Sequence, residues 1–370
     1  MPEFNFKTTP YDHQREAFDA SCDTENYALL MDMGTGKTKV CIDTIGYNYE
    51  SGKINLAVIV APKGVIANWI GEISTHLPDR IDREVVLWKP SLTKAKRKEL
   101  TDLSQPAGKL KFLLMNIEAF STKKGVDVAE FFVKKFKTCM VVDESTTIKN
   151  RRAKRTQAVC DVGRGAVTKR ILTGSPVTKS PMDLYSQMDF LSPEILGFRS
   201  YYAFQGRYAV VQRRSMGAHS FNQILGFRRL DELTEKLQNF SYRVRKEECL
   251  DLPEKVYVRR SVELTKEQSD AYTQMKHLAL ARLESGELAT TQNVLTQIMR
   301  LQQICLGHLT DDEGETHPVK SNRLGELLTI ADEIQGKAII WATWSRDIRA
   351  IAEALRDRFS VQAVATLHGE

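Results

Sequence analysis

The sequence predicts an α/β protein built on a parallel sheet, and three observations predict it. Apolar runs alternate with helix-patterned segments from Tyr27 to about Asp189, which is the signature of repeated strand–helix–strand units. One run, Tyr27 to Met31, leads into Met33-Gly34-Thr35-Gly36-Lys37-Thr38 and then a helical stretch. Another, Thr138 to Val142, ends on the acids Asp143-Glu144. Runs that are apolar throughout mark strands buried on both faces, and open sheets of such strands bind ligands at their C-terminal edge.

Strands are expected at Tyr27 to Met31, Asn55 to Pro62, Glu84 to Trp88, Leu110 to Asn116, Thr138 to Asp143 and Val167 to Thr173. The alternation then breaks. Leu191 to Pro253 is aromatic and basic, and Tyr208 to Gln212 with Phe221 to Leu225, flanking Ser215-Met216-Gly217, suggest a small hairpin. Thr265 to Ser285 and Thr290 to Leu306 have helical patterns, and the acidic, glycine-containing stretch Asp311 to His317 suits an interdomain linker. Alternation resumes with a helix (Arg323 to Ile334), a strand (Lys337 to Ala342), a helix (Arg346 to Phe359) and a strand (Val361 to Leu367). The expected division is therefore a first lobe at 1–190, a helical and basic insertion at 191–310, a linker at 311–320 and the beginning of a second α/β lobe at 321–370. About 50 residues cannot cover both faces of a full parallel sheet, so the second lobe is expected to be incomplete.

A strand, a tight glycine turn and a helix form a cradle for phosphates. Glycines let backbone N–H groups close on the anion, the helix N-terminus adds partial positive charge, Lys37 can reach the β/γ-phosphates and the Thr38 hydroxyl can ligate Mg²⁺. The strict motif has one more glycine, at the place held here by Met31, so on the loop alone a turn unrelated to nucleotides stays open. The acids supply the complement. Phosphoryl transfer to water needs an anchor for the metal and a group to orient or deprotonate the water, which assigns Asp143 to Mg²⁺ and Glu144 to the water. The alternative is that Asp143-Glu144-Ser145-Thr146 merely caps a helix beginning beyond it.

Composition sets the class. A chain of 370 residues with 42% hydrophobic content is ordinary for a globular protein of two domains. No apolar run approaches the roughly 18 residues of a membrane span, and Met1-Pro2-Glu3-Phe4 does not open a signal peptide, so a soluble intracellular protein is expected, with no membrane partner. The six cysteines are scattered, without a Cys-x-x-Cys pair, and suit reduced buried thiols rather than zinc. Net charge is only +6, yet the basic residues cluster at Lys94 to Lys98, Lys123 to Lys137, Lys149 to Arg155, Arg207 to Arg229 and Arg243 to Lys246. Such clusters in a nucleotide-binding protein favour a polyanionic partner.

With these pieces placed, the chain resembles the SNF2 (Swi2/Snf2) group of superfamily 2 helicase-like, DNA-dependent ATPases, over nearly its whole length. Pro10-Tyr11-Asp12-His13-Gln14 resembles the adenine-reading segment, with Tyr11 and Gln14 at the base. Asp32-Met33-Gly34-Thr35-Gly36-Lys37-Thr38 is similar to the family's phosphate loop, which also lacks the upstream glycine. Val58-Ile59-Val60-Ala61-Pro62-Lys63, with Asn68-Trp69, resembles the motif whose loop lies against the DNA backbone, and Asn116-Ile117-Glu118-Ala119-Phe120 resembles the next. Asp143-Glu144-Ser145-Thr146 with Ile148-Lys149-Asn150 is similar to Asp-Glu-Ala-His-x-Ile-Lys-Asn, with Ser and Thr in place of Ala and His. Leu172-Thr173-Gly174-Ser175-Pro176 matches the motif that couples hydrolysis to strand movement. Tyr242-Arg243-Val244-Arg245-Lys246 with Asp251-Leu252-Pro253-Glu254-Lys255, and Leu301-Gln302-Gln303-Ile304-Cys305, resemble segments particular to SNF2 proteins. Ser321 to Leu324, Lys337 to Trp344 and Leu367-His368-Gly369 resemble the opening of the second lobe.

The resemblance implies two RecA-like lobes, ATP and Mg²⁺ as cofactors, and a monomeric motor that moves on or remodels DNA, double-stranded in preference to single-stranded. It implies nucleic-acid contacts at Lys63, Asn116, Lys149 and Asn150, although Lys149 also suits a plain helix surface. Trp69 falls on an apolar helical face with Val65, Ile66 and Ile73, which suits the core rather than base stacking. Family members continue past the place of Gly369 into motifs that contact DNA and supply arginine fingers, so this sequence is expected to bind nucleotide better than it turns it over, as a piece of a longer motor in preference to a protein with a shortened second lobe that needs help in trans. The compact insertion and the absence of a histone-reading segment suit a viral or bacterial motor. The competing readings are a nucleotide-gated DNA-binding module and the motor subunit of a restriction or defence system.

Overall fold

A computed structural model of the chain describes residues 4–91, 93–106, 108–216, 219–284, 291–311 and 313–367. Packing divides it into two compact units, Met1–Pro253 and Glu254–Glu370. The first unit runs α1 (Asp12–Ser21), β1 (Asn26–Met31), α2 (Lys37–Glu50), β2 (Leu56–Ala61), α3 (Lys63–Ile66), α4 (Asn68–His76), β3 (Arg83–Leu87), α5 (Lys94–Leu103), β4 (Leu110–Asn116), α6 (Lys123–Lys135), β5 (Thr138–Asp143), α7 (Lys154–Gly163) and β6 (Thr168–Leu172). It continues through α8 (Leu184–Leu191), α9 (Tyr201–Tyr208), β7 (Ala209–Met216), β8 (His219–Phe227), α10 (Leu230–Gln238), β9 (Ser241–Val244) and α11 (Lys246–Cys249).

Seven strands form one sheet in the order β3-β4-β2-β5-β6-β1-β9, and every pairing in it is parallel. Because side chains alternate between faces along a strand, each apolar run feeds two layers at once. Ala28, Leu30, Val58, Val60, Met140 and Val142 face one layer, which α6 to α9 cover with Phe132, Val159, Met188 and Phe204. Leu29, Met31, Ala57, Ile59, Ala61 and Val141 face the other, covered by Phe18, Ile42, Ile45, Trp69 and Ile73 from α1, α2 and α4. Buried Arg170 on β6 ties down the end of α1. Its guanidinium donates to the carbonyls of Ser21 (2.8 Å), Thr24 (2.7 Å) and Glu25 (2.8 Å), so its charge is lodged among groups that otherwise lack helical partners.

Four expectations are revised. The stretch 241–244 joins the sheet as β9, beside β1, although its sequence pattern places it within the insertion. It is short, at the sheet edge and carries Arg243, so it lacks an apolar run. The expected hairpin is longer than its apolar cores, pairing Ala209–Met216 with His219–Phe227, and Gly217 of its turn lies outside the described residues.

The second unit contains α12 (Lys266–Glu284), α13 (Thr291–Leu306), β10 (His308–Thr310), β11 (Thr316–Pro318), α14 (Arg323–Glu333) and α15 (Ser345–Arg358), matching the four helices expected there; Ser285 and Thr290 lie outside the described residues. The expected linker is instead the tip and return strand of an antiparallel β10–β11 hairpin, closed by His317 against Asp311 at 2.7 Å. Neither 337–342 nor 361–367 is a strand among the described residues. Ile339, Trp341 and Val361 are 82%, 89% and 70% exposed, with no described strand alongside to satisfy their backbone groups. His368 and Gly369 lie outside the described residues.

Candidate active site

The strand order decides what meets. β5, β6 and β1 are consecutive in the sheet, so their C-terminal ends bring Asp143-Glu144, Thr173-Gly174-Ser175 and the loop 32–36 side by side. In that loop Gly34 and Gly36 adopt left-handed φ of 85° and 88°, a conformation other residues enter only with strain. A Cβ at Gly36 would also stand 2.2 Å from Gln14 Nε2. The loop delivers Lys37 and Thr38 to the first turn of α2, where the backbone N–H groups have no intrahelical partners.

The first turn of α1, with Tyr11 at its N-cap, braces this loop. Gln14 Nε2 donates to the Thr35 carbonyl (3.1 Å) and its Oε1 accepts from the Tyr11 backbone N–H (3.1 Å). Each end of the amide keeps one further hydrogen-bonding position. A His13 ring nitrogen also meets the Thr35 carbonyl at 2.8 Å, and the exposed Tyr11 ring stacks parallel to His13. Thr35 turns inward, its hydroxyl donating to the Asp32 carbonyl, while Met33 is 74% exposed.

Lys37 Nζ stands 3.7 Å from Glu144 Oε1. Asp143 is buried, and burial pushes its carboxyl above the usual range, against the lowering influence of the Trp69 indole, the Lys37 charge and the Glu144 N–H. Trp69 Nε1 donates to Asp143 Oδ2 at 3.0 Å and the Glu144 N–H to Oδ1 at 3.0 Å. Core placement of Trp69 is as expected; its grip on Asp143 is not legible in the sequence, since the two lie 74 positions apart. Glu144 itself has φ 48° and ψ 59°, a left-handed conformation that a non-glycine residue holds only where its surroundings fix it. Gly174 packs against the start of the phosphate loop, since a Cβ there would meet Asp32 Cα and the Met33 N at 3.3 Å.

The donor set suits the groups that the sequence implies. Two left-handed glycines, a helix N-terminus and Lys37 suit a phosphate chain. The Thr38 hydroxyl and the Asp143 carboxylate are hard oxygen donors of the kind Mg²⁺ takes, and Asp143, with free lone pairs and an unfavourable burial, is a carboxylate that a cation would relieve. One cation was given no role by sequence reasoning. The Lys246 N–H donates to Asp32 Oδ2 at 3.1 Å, and Lys246 Nζ would lie 3.7 Å from a Cβ at Gly34. This basic side chain hangs over the loop because β9 pairs with β1.

The four residues implied as nucleic-acid contacts lie on the same sheet edge, toward β5, β2 and β4. Lys63 follows β2 and is exposed, and Asn116 closes β4 with its amide on Glu118 (2.8 Å). Lys149 donates to the Thr178 hydroxyl, and exposed Asn150 accepts from the Arg152 N–H.

Parallel sheet, glycine loop and paired acids define a RecA-like P-loop nucleotide-binding lobe. The chain belongs to the SNF2-related domain family, whose model matches residues 13–308. It is 26% identical over 333 residues to an uncharacterised ATP-dependent helicase of Mycoplasma genitalium, covering 89% of this chain and 29% of that protein. To the TATA-binding protein-associated factor MOT1 of Saccharomyces cerevisiae it is 26% identical over 299 residues, 75% of this chain and 15% of the relative. The chain thus spans less than a third of these relatives. Among solved structures it is similar in fold to the Sulfolobus solfataricus SWI2/SNF2 ATPase core in complex with dsDNA, with a TM-score of 0.53 and 21% identity over 96% of this chain and 72% of that one. No described helix is long and apolar enough to cross a membrane.

Proposed function

We propose that this chain is the nucleotide-hydrolysing part of an ATP-driven motor that acts on DNA, double-stranded in preference to single-stranded. The observation that carries the reading is the convergence of Lys37, Asp143 and Glu144 at the edge of the sheet, with Lys37 Nζ 3.7 Å from Glu144 Oε1. Lys37 and the loop amides hold the phosphates, and Thr38 with Asp143 holds Mg²⁺, which supplies charge neutralisation at the phosphates when bound. Glu144, next in chain to the metal-binding acid, orients the attacking water and takes its proton. Family membership, and relatives described as ATP-dependent helicases, support DNA as the partner. Lys63, Asn116, Lys149 and Asn150 offer mainly backbone contacts, which are independent of sequence and sensitive to salt.

The test is phosphate release from ATP with and without double-stranded DNA, single-stranded DNA and RNA. Stimulation by duplex DNA is the expected result. Lys37→Ala and Glu144→Gln are each expected to abolish turnover, with Glu144→Gln still binding ATP; normal hydrolysis by either variant overturns the site assignment. Nucleotide-dependent DNA binding without turnover would instead favour a gated binding module.

A further inference from the structure

The Ser-Thr pair after the acids replaces the Ala-His of the related motif, and the structure holds a different connection in that place. Ser145 and Gln187 are both fully buried, and Ser145 Oγ donates to Gln187 Oε1 at 2.7 Å. Gln187 Nε2 donates to the Pro176 carbonyl at 2.7 Å and to the Asp183 carbonyl at 2.8 Å. Carbonyls only accept, so the Nε2 end must face them. Oε1 then faces Ser145, whose hydroxyl must be the donor. The network has a single direction, and breaking it leaves buried polar groups unmatched.

Its position gives it meaning. Ser145 follows Glu144, whose left-handed backbone is fixed on one side by Asp143, held by Trp69, and on the other by Ser145, held by Gln187. Pro176 belongs to the loop 173–176 that carries Thr173, Gly174 and Ser175. Other ties cross the same gap: Ser186 Oγ meets the carbonyls of Ile148 and Lys149, and Lys149 reaches Thr178. Those grip the chain four or more residues beyond Glu144. Among the described residues, Gln187 alone bonds both to the neighbour of Glu144 and to the 173–176 loop.

We infer that Gln187 is a positioning residue that makes the Glu144 backbone and the 173–176 loop shift together when nucleotide occupies the phosphate loop. This rests on the ATP-site reading proposed above. Amide hydrogen exchange of the full chain, with and without a non-hydrolysable ATP analogue, tests both separately. In the wild type the analogue is expected to slow exchange in 33–38 and in 173–178. In Gln187→Leu and in Ser145→Ala, slowing at 33–38 persists while that at 173–178 shrinks by at least about fivefold. The double variant should lose no more than either single change, as coupled partners do. Thr178→Ala, which removes the exposed Lys149 contact and the hydroxyl bond to the Asp183 carboxylate but none of the Gln187 bonds, should keep the full response. In DNA-stimulated turnover, Gln187→Leu should lower kcat with KM unchanged. A full response at 173–178 in Gln187→Leu, or none there in a wild type that responds at 33–38, overturns the inference alone. No response at 33–38 overturns the ATP-site reading and the inference with it.

Discussion

Trp69 concentrates two demands on one side chain. Its ring fills the core between α4 and the sheet, while its indole N–H meets Asp143 Oδ2 at 3.0 Å. A buried carboxylate already pushed above its usual range by desolvation depends on each donor that faces it. Trp69→Phe keeps most of the apolar bulk and removes that donor. The expected loss is about 1–3 kcal/mol in unfolding free energy, because a buried acceptor is left short of a partner. Turnover should fall about tenfold, as 1.4 kcal/mol of misplacement at the metal-binding acid would produce. Urea unfolding and ATP turnover check the two separately; a variant as stable and as active as the wild type refutes the positioning role.

At the scale of elements, α2 carries the site at one end and a buried ion pair one turn further along. Lys39 Nζ meets Asp43 Oδ2 at 2.6 Å, and both residues are buried. Burial raises the Asp43 carboxyl from 3.8 to about 6, against the lowering influence of Lys39. The folded state therefore holds this proton more tightly than the unfolded chain does. Its contribution to stability is present in full below about pH 4, declines as pH rises toward 6 and is level above that, a fall of about 3 kcal/mol at most. Asp43→Asn removes the titration; Lys39, left without its carboxylate, shifts the level but not the slope. Unfolding free energies from about pH 4 to pH 7 should show the wild type falling relative to Asp43→Asn, and parallel profiles would exclude the assignment. The same helix illustrates what sequence can disclose. Its start was legible because Gly34, Gly36, Lys37 and Thr38 follow an apolar run, and six strands were legible because burial on both faces demands such runs. β9 was not, since a four-residue edge strand containing Arg243 leaves no comparable pattern, and with it went the approach of Lys246 to Gly34. Gln187 and Trp69 acquire their roles from partners 42 and 74 positions away, a distance no local pattern spans.

For the molecule as a whole, the question is how much chain the nucleotide site needs. All seven strands of the parallel sheet lie between Asn26 and Val244, and both apolar layers against it are built from residues between Phe4 and Cys249. The glycine loop, the acids, Gln187 and Lys246 fall within the same bounds. A piece of 253 residues with a sheet covered on both faces is of the size at which one domain is stable by itself. Residues 1–253 are accordingly expected to fold alone, with a cooperative thermal transition by circular dichroism, and to bind an ATP analogue within about threefold of the full chain, less than 1 kcal/mol apart. Cutting instead after Gln238 removes β9 and Lys246, exposing one flank of β1 and leaving Asp32 without the Lys246 N–H. That shorter piece should bind the analogue at least about tenfold more weakly than 1–253, roughly 1.4 kcal/mol. Equal affinity in the two pieces would show that β9 is dispensable to the loop it borders.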